Sequence, residues 1–375
     1  MKLIKNFFLF QKIQNKFEVI FYSEGSHDTI YFEDLIKKLD TNYNIKILIL
    51  TSNEKDICFN LNSKNVESIF IGDGFFRTLI YYLINTKLFV TSLPDLQTYF
   101  LKRSKISNTK YIYLFHAASS TNAAYNKGAF DNYDYIFCRG QHHVDEILEN
   151  ENLNNLKKKI LFKHGCPIFD KMSVNLVKLD KKPKKILLAP SWNNKNELID
   201  LDIENLIEIL IKKDLEVTLR FHPMTLKRKK RKVDELIKKY DKLDKVDFSL
   251  SVQNKKQLYD NDILITDWSG IAQEFSIMLG KPVIFLDIPK KIMNQDYEKF
   301  LNKAVEISYR NKIGYIFKLD EFDKLANFIK NDQFLNKFNL EKIENIKKVR
   351  HEIFFNHGKS TEYASNYIKD ILKNV

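Results

Sequence analysis

The feature that most constrains this chain is an alternation repeated along its length: short runs of β-branched and aromatic residues, separated by longer stretches of helical periodicity. Such a rhythm selects βαβ units and parallel sheets, because two parallel strands can be joined only by a crossover long enough to hold a helix. In the first half the strand-like runs are residues 17–22, 45–51, 67–71, 88–91, 110–115 and 135–138, with helical patterns over 28–39 and 75–84. A second series begins after the polar, Lys-rich stretch 173–185, which carries Pro183 and reads as a linker. Its strands are 185–189, 216–221, 263–266 and 282–286, and its helices 203–212, 233–240 and 271–279. A chain of 375 residues has room for two cores. The expected architecture is α/β, with two Rossmann-like domains facing a cleft. The first domain covers residues 1–172 and the second 184–350. Residues 351–375 supply a C-terminal helix, amphipathic over 361–373, that packs back on the first domain.

Composition removes several function classes. The excess of 61 Lys+Arg over 48 Asp+Glu gives a net charge of +13, which favours polyanionic partners without choosing among them. Only Cys58, Cys138 and Cys166 occur, with no CxxC pair, so neither a cysteine zinc module nor a disulfide framework is expected, and a reducing compartment fits. The richest apolar stretch, 75–90, is broken by Arg77, Asn85 and Lys87, short of the ~20 apolar residues a spanning helix needs. The start of the chain runs from a short apolar segment straight into Gln11, Lys12 and Gln14, unlike a signal peptide. A cytoplasmic protein is expected, at most peripheral on the inner face of the membrane. No HExxH, Walker A, GxGxxG or GxSxG pattern is present, which argues against a protein-bound metal, a P-loop, a dinucleotide fold and a hydrolase elbow. The basic run 227–232 lacks interleaved aromatics, so nucleic acid is not an expected partner. The run reads as a solvated helix start or as a contact with anionic lipid.

In open parallel sheets ligands bind beyond the carboxyl ends of the strands. Those positions hold Ser23-Glu24-Gly25-Ser26, His116 with Ser119-Ser120, Pro190-Ser191-Trp192, Arg220 with His222-Pro223, and Asp267-Trp268-Ser269-Gly270. Arg220 and His222 alternate around Phe221, which places both on one side of the strand, suited to a diphosphate. Ser269 is expected to cap the following helix, and Gly270 to let a phosphate approach its N-terminus. His116 has the residue type suited to accepting a proton from an attacking hydroxyl. Trp192 or Trp268 is a candidate to pack on a base or ribose. Of the other histidines, His142 and His143 begin a helix, His164 sits at the turn between the domains, and His27, His351 and His357 lack an evident partner.

Taken as an ordered set, these segments resemble the CDP-glycerol glycerophosphotransferase family. The resemblance rests on Ala189-Pro190-Ser191-Trp192, Arg220-Phe221-His222-Pro223, Thr266-Asp267-Trp268-Ser269 and Lys281-Pro282-Val283 in the second half. In the first half it rests on Phe21-Tyr22-Ser23-Glu24-Gly25, on Phe115-His116, on Gly128 through Asp134, and on Cys138-Arg139-Gly140. It implies a glycosyltransferase-B fold with the nucleotide on the second domain and the acceptor on the first. It further implies His116 as the general base, His222 beside the diphosphate, and Ser269 with Gly270 at the phosphates. The expected reaction transfers glycerol phosphate or a related polyol phosphate from a CDP-linked donor to a surface glycan or glycolipid acceptor, with no tightly bound cofactor. A sugar transferase of the same fold, using a nucleotide sugar, is the alternative. Two departures stand out: His116-Ala117-Ala118 where teichoic-acid polymerases carry His-Gly-Thr, and Ser269-Gly270 where they carry two serines.

Overall fold

The structure, a computed structural model, describes residues 1–170, 182–193, 197–250 and 256–375. The chain forms two compact units: Met1–Met172 with Met293–Lys303 and Glu352–Val375, and Ser173–Ile292 with Ala304–His351. The expected linker over 173–185 falls mostly outside the described residues. Residues 293–303, within the stretch read as the second domain, pack in the first unit. There the Met293 amide donates to the Ala123 carbonyl at 2.7 Å, and Glu149 accepts from the Leu301 amide at 2.5 Å.

The first unit is built on seven strands: β1 (Val19–Ser23), β2 (Ile47–Thr51), β3 (Val66–Phe70), β4 (Leu88–Thr91), β5 (Lys110–Leu114), β6 (Tyr135–Cys138) and β7 (Ile160–Lys163). They lie parallel in the order β3-β2-β1-β4-β5-β6-β7, with Val19 opposite both Ile47 and Leu88. Every residue of β1, β2 and β4 is buried, which is why these strands read as unbroken apolar runs rather than alternating ones. One face of the sheet is filled by Phe10, Tyr22, Phe89, Tyr113 and Phe115. The other is filled by Phe21, Leu35, Ile49 and Phe137 together with Ala364, Ile368 and Leu372 of the C-terminal helix Ser360–Asn374. Two glycines admit the segment leading into that helix. A Cβ on Gly140 would lie 2.3 Å from the Ile353 carbonyl oxygen, and one on Gly165, at φ +92°, would lie 2.1 Å from that of Phe355.

The second unit carries β8 (Lys185–Leu188), β9 (Glu216–Arg220), β10 (Val246–Ser249), β11 (Ile263–Thr266), β12 (Val283–Leu286) and β13 (Gly314–Phe317), parallel in the order β10-β9-β8-β11-β12-β13. The helix Ile203–Lys212 lays Leu206, Ile207 and Leu210 against Ile186, Leu219 and Ile265. In each unit the strand order reverses at one point, between β1 and β4 and between β8 and β11.

The structure corrects the reading of several elements. Strands β7, β10 and β13 were not expected. The single helix expected over 28–39 is two, Ser26–Thr29 and Glu33–Tyr43, because Asp28 and Thr29 turn their side chains inward. The helix expected over 271–279 is π-wound from Gln273 to Met278 and ends at Gly280, φ +73°.

Candidate active site

In the second unit the polar strand ends gather at the β8/β11 reversal. Asp267, buried at the end of β11, accepts the Ser191 amide at 2.8 Å, and the Thr266 hydroxyl donates to the Ala189 carbonyl at 2.7 Å. Two strand ends that diverge at the switch point are thereby tied together, and Pro190-Ser191-Trp192 is held over the opening. Burial raises the Asp267 carboxyl, with the Ser191 amide opposing. Asp267 therefore faces into the fold and holds the loop after β8, rather than lying on a surface turn. Glu197, also buried, braces the same loop: it accepts the Asn193 amide at 3.2 Å and the Thr225 hydroxyl at 3.0 Å.

Arg220 and His222 are both half-buried with Phe221 buried between them, as the alternation requires. His222 is the N-cap of the helix Pro223–Arg228, its Nδ1 accepting the Met224 amide at 3.1 Å. A ring nitrogen that accepts leaves the proton of the neutral imidazole on Nε2, so His222 can donate to an anion without being charged. Ser269 contributes its carbonyl, not its hydroxyl, to the turn, accepting the Ala272 amide at 3.3 Å. The expected side-chain cap is absent among the described residues, where the Ser269 hydroxyl makes no hydrogen bond.

The two tryptophans are already engaged. The Arg310 guanidinium lies 3.8 Å from the Trp268 ring centroid, and the indole N–H donates to the Ile288 carbonyl at 2.9 Å. Lys291 lies 3.8 Å from the Trp192 centroid, and Arg228 5.1 Å. Lys291 was missed in the sequence, where it is one lysine among many. Burial lowers its ammonium to about 8, against the opposing pull of Asp267 and Glu197.

In the first unit the corresponding cluster lies where β1, β4 and β5 end, at the other strand-order reversal. His116 Nδ1 is 3.3 Å from the Ser92 carbonyl oxygen, which can only accept, so Nδ1 carries the proton and Nε2 keeps its lone pair. Burial lowers the imidazole below its ordinary value, Asp28 pulls it upward and Arg139 downward. Asp28 is fixed by the Ser92 hydroxyl at 2.9 Å and the Glu24 amide at 2.9 Å. Arg139, fully buried, donates to the Phe115 carbonyl directly before His116. His142 and His143 prove to be supports for the same loop, donating from Nε2 to the carbonyls of Ala118 and Ser119, each at 3.0 Å. Their i,i+1 placement at the start of the helix Gln141–Leu153 gave no periodic signal. The loop after β1 is held by Asp56, whose carboxylate accepts the hydroxyls of Ser23 at 2.7 Å, Thr29 at 2.9 Å and Thr51 at 2.6 Å.

Other expected features find ordinary places. Lys281 donates to the carbonyls of Leu258, Tyr259 and Asn261 at 2.9, 2.6 and 2.7 Å, closing the turn before β11. Within the basic run, Lys229 and Lys232 pair with Asp200, Lys230 with Asp234 and Arg231 with Glu235. Among the described residues no group of three or more His, Cys, Asp or Glu could hold a metal ion, and no helix is long and apolar enough to cross a membrane.

Two parallel α/β units, each with polar side chains collected at its strand-order reversal, define the glycosyltransferase-B class of fold. The chain belongs to the CDP-glycerol:poly(glycerophosphate) glycerophosphotransferase family, which it matches over residues 4–368. It is 23% identical over 311 residues to the uncharacterized protein MJ1062 of Methanocaldococcus jannaschii, covering 82% of this chain and 56% of that one, so it spans about half of the relative's length. Among solved structures it resembles the UDP-GlcNAc 2-epimerase of M. jannaschii in complex with UDP-GlcNAc and UDP, with a TM-score of 0.55, 16% identity and coverage of 94% and 99%. It also resembles Anabaena Alr3699/HepE in complex with UDP and glucose, with a TM-score of 0.51, 11% identity and coverage of 96% and 100%.

Proposed function

We propose that this protein transfers glycerol phosphate, or a related polyol phosphate, from a CDP-linked donor to a hydroxyl of a surface glycan or teichoic-acid-like polymer, releasing CMP. The family match over nearly the whole chain carries the reading. In it, Nε2 of His116 takes the proton of the acceptor hydroxyl as that oxygen attacks the polyol-side phosphorus. The bond from that phosphorus to the bridging oxygen breaks, and CMP departs with the electron pair. Arg220, the Nε2–H of His222, the Ser269 hydroxyl beside Gly270, and Lys291 supply positive charge and hydrogen-bond donors to the diphosphate. Fixed donors of this kind contribute several kcal/mol without a bound metal. Pro190, Ser191 and Trp192 form the loop over the nucleotide, Asp267 holds that loop, and Trp268 packs behind it. No tightly bound cofactor enters the reaction.

A second reading, transfer of a sugar from a nucleotide sugar, is favoured by the UDP and glucose bound to the Anabaena neighbour. A thermal-shift comparison of donors separates the two. CDP-glycerol at about 100 times its Kd should stabilise the protein by roughly 2.7 kcal/mol, and His116→Gln should keep that stabilisation while losing turnover. Stabilisation by UDP-GlcNAc but not by CDP-glycerol would replace the first reading with the second. Loss of donor binding in His116→Gln would remove the base assignment.

A further inference from the structure

Arg77, in the first turn of the helix Phe75–Tyr82, is only 7% exposed, and its charge is poorly compensated. Among the described residues it makes one hydrogen bond, from Nη1 to the Tyr22 hydroxyl at 3.4 Å, and that oxygen also bonds the Ser52 hydroxyl at 2.7 Å. The Glu24 carboxylate is 3.6 Å from Nη1, an ion pair too long for a hydrogen bond. Nε is buried with no hydrogen-bond partner among the described residues. The guanidinium lies 3.7 Å from the Phe100 ring centroid, a contact that orients its plane but takes none of its N–H groups. Arg103 of the same unit is the contrast. It lies 4.4 Å from the Tyr111 centroid and donates to the Asn132 carbonyl at 2.6 Å, the Thr109 carbonyl at 3.3 Å and the Asp134 carboxylate at 2.9 Å. A buried guanidinium with one long hydrogen bond is costly unless an anion completes it.

The residues around Arg77 belong to the strand-order reversal that also holds His116. Glu24 follows β1, and Phe100 lies in the loop between β4 and β5. Glu24 joins the two places: its carboxylate faces Arg77, and its amide donates to Asp28 at 2.9 Å. Asp28 in turn accepts the hydroxyl of Ser92, whose carbonyl lies against His116 Nδ1. Space opens beside the helix start, where a Cβ on Gly74 would meet nothing within 4 Å. We propose that Arg77 selects the acceptor: its unfilled N–H groups receive a phosphodiester of the growing polymer, one or more units behind the hydroxyl presented to His116. A planar fork of donors suits two phosphate oxygens at once. The Glu24 side chain, 38% exposed, balances the charge until an acceptor displaces it. The inference rests on the proposed transfer of a polyol phosphate, which makes the acceptor a polyanion, and it gives the enzyme a preference for chains that already carry phosphate.

Two small acceptors test it: glycerophosphoglycerol, a phosphodiester with free terminal hydroxyls, and triglycerol, a neutral chain of similar length. In calorimetric titration the wild-type chain should bind glycerophosphoglycerol about tenfold more tightly than triglycerol, as one charge-assisted pair allows. Arg77→Gln should erase that preference while CDP-glycerol affinity stays at the wild-type value, and Arg77→Lys should keep part of it. Glu24→Gln removes the competing carboxylate but leaves the backbone amide on Asp28, so it should raise the preference severalfold; a merely structural ion pair predicts no gain. In turnover with CDP-glycerol, Arg77→Gln should raise KM for glycerophosphoglycerol about tenfold and leave kcat within about twofold, the pattern of lost binding rather than lost chemistry. Equal affinity of the wild type for the two acceptors would overturn the proposal, as would a preference that neither Arg77→Gln nor Glu24→Gln alters. A preference for the phosphodiester that depends on Arg77, without any transfer from CDP-glycerol, would refute the donor reading and leave the role of Arg77 standing.

Discussion

Asp267 follows a strand and precedes Trp268, a position from which its sequence suggests contact with a ligand, yet its carboxylate turns inward to the Ser191 amide. The residue type was legible; its direction was not, because only the sheet order places the ends of β8 and β11 side by side. Lys291 illustrates the converse. Nothing distinguishes it in a Lys-rich chain, but it lies against Trp192 with its ammonium lowered to about 8 by burial. A lysine with that value is charged at pH 7 and loses its charge as pH rises through 8. Donor affinity should therefore weaken by about tenfold between pH 7 and pH 9, the worth of one charged hydrogen bond. In Lys291→Met the affinity should be low and flat across that range. Calorimetric titration of CDP-glycerol at the two pH values checks this, and a wild-type affinity that does not change would remove Lys291 from the site.

At the scale of elements, the central strands β1, β2, β4, β8 and β11 were readable because burial on both faces makes them unbroken apolar runs. The missed strands, β7, β10 and β13, are all sheet edges. An edge strand keeps polar or exposed positions, as in Val246-Asp247-Phe248-Ser249, and its short run looks like a loop. The bend that divides residues 26–43 into two helices was equally hidden, since it follows from Asp28 and Thr29 serving neighbouring loops rather than from any breaker residue. Lys281 shows an element held by a single charge. Its ammonium satisfies three carbonyls at the turn before β11, and burial lowers it while Asp262 and Asp260 oppose. Lys281→Met should cost about 2–4 kcal/mol, since it leaves buried carbonyls unpaired. Chemical denaturation measures that cost. A loss below about 0.5 kcal/mol, ordinary for a surface site, would contradict the role.

At the scale of the whole molecule, two parallel α/β units were visible in the alternation of the sequence, whereas the return of residues 293–303 to the first unit was not. That return depends on contacts such as Met293 to Ala123, far apart in the chain. The first unit also concentrates histidines withdrawn from water, His143 and His164 buried and His116 and His142 half-buried. His116, His142, His143 and His164 are all lowered chiefly by burial, His142 to about 4, and neither ring nitrogen of His164 has a hydrogen-bond partner among the described residues. Their folded values lie below the unfolded value near 6.5. Their contribution to stability is thus present above pH 6.5 and is lost as pH falls toward the folded values. Each adds about 1.4 kcal/mol of destabilisation per pH unit in that window. The melting temperature should fall steeply between pH 6.5 and pH 5, and His164→Leu should make the fall shallower; an unchanged slope would show that His164 binds a proton in the folded state. The central claim, that phosphorus moves with the polyol, is tested most directly with CDP-glycerol labelled at its glycerol-side phosphate and a fragment of the native glycan. The account predicts label in the polymer and one CMP released for each phosphate incorporated. Release of a nucleoside diphosphate from a nucleotide sugar, with no phosphorus gained by the glycan, would contradict it.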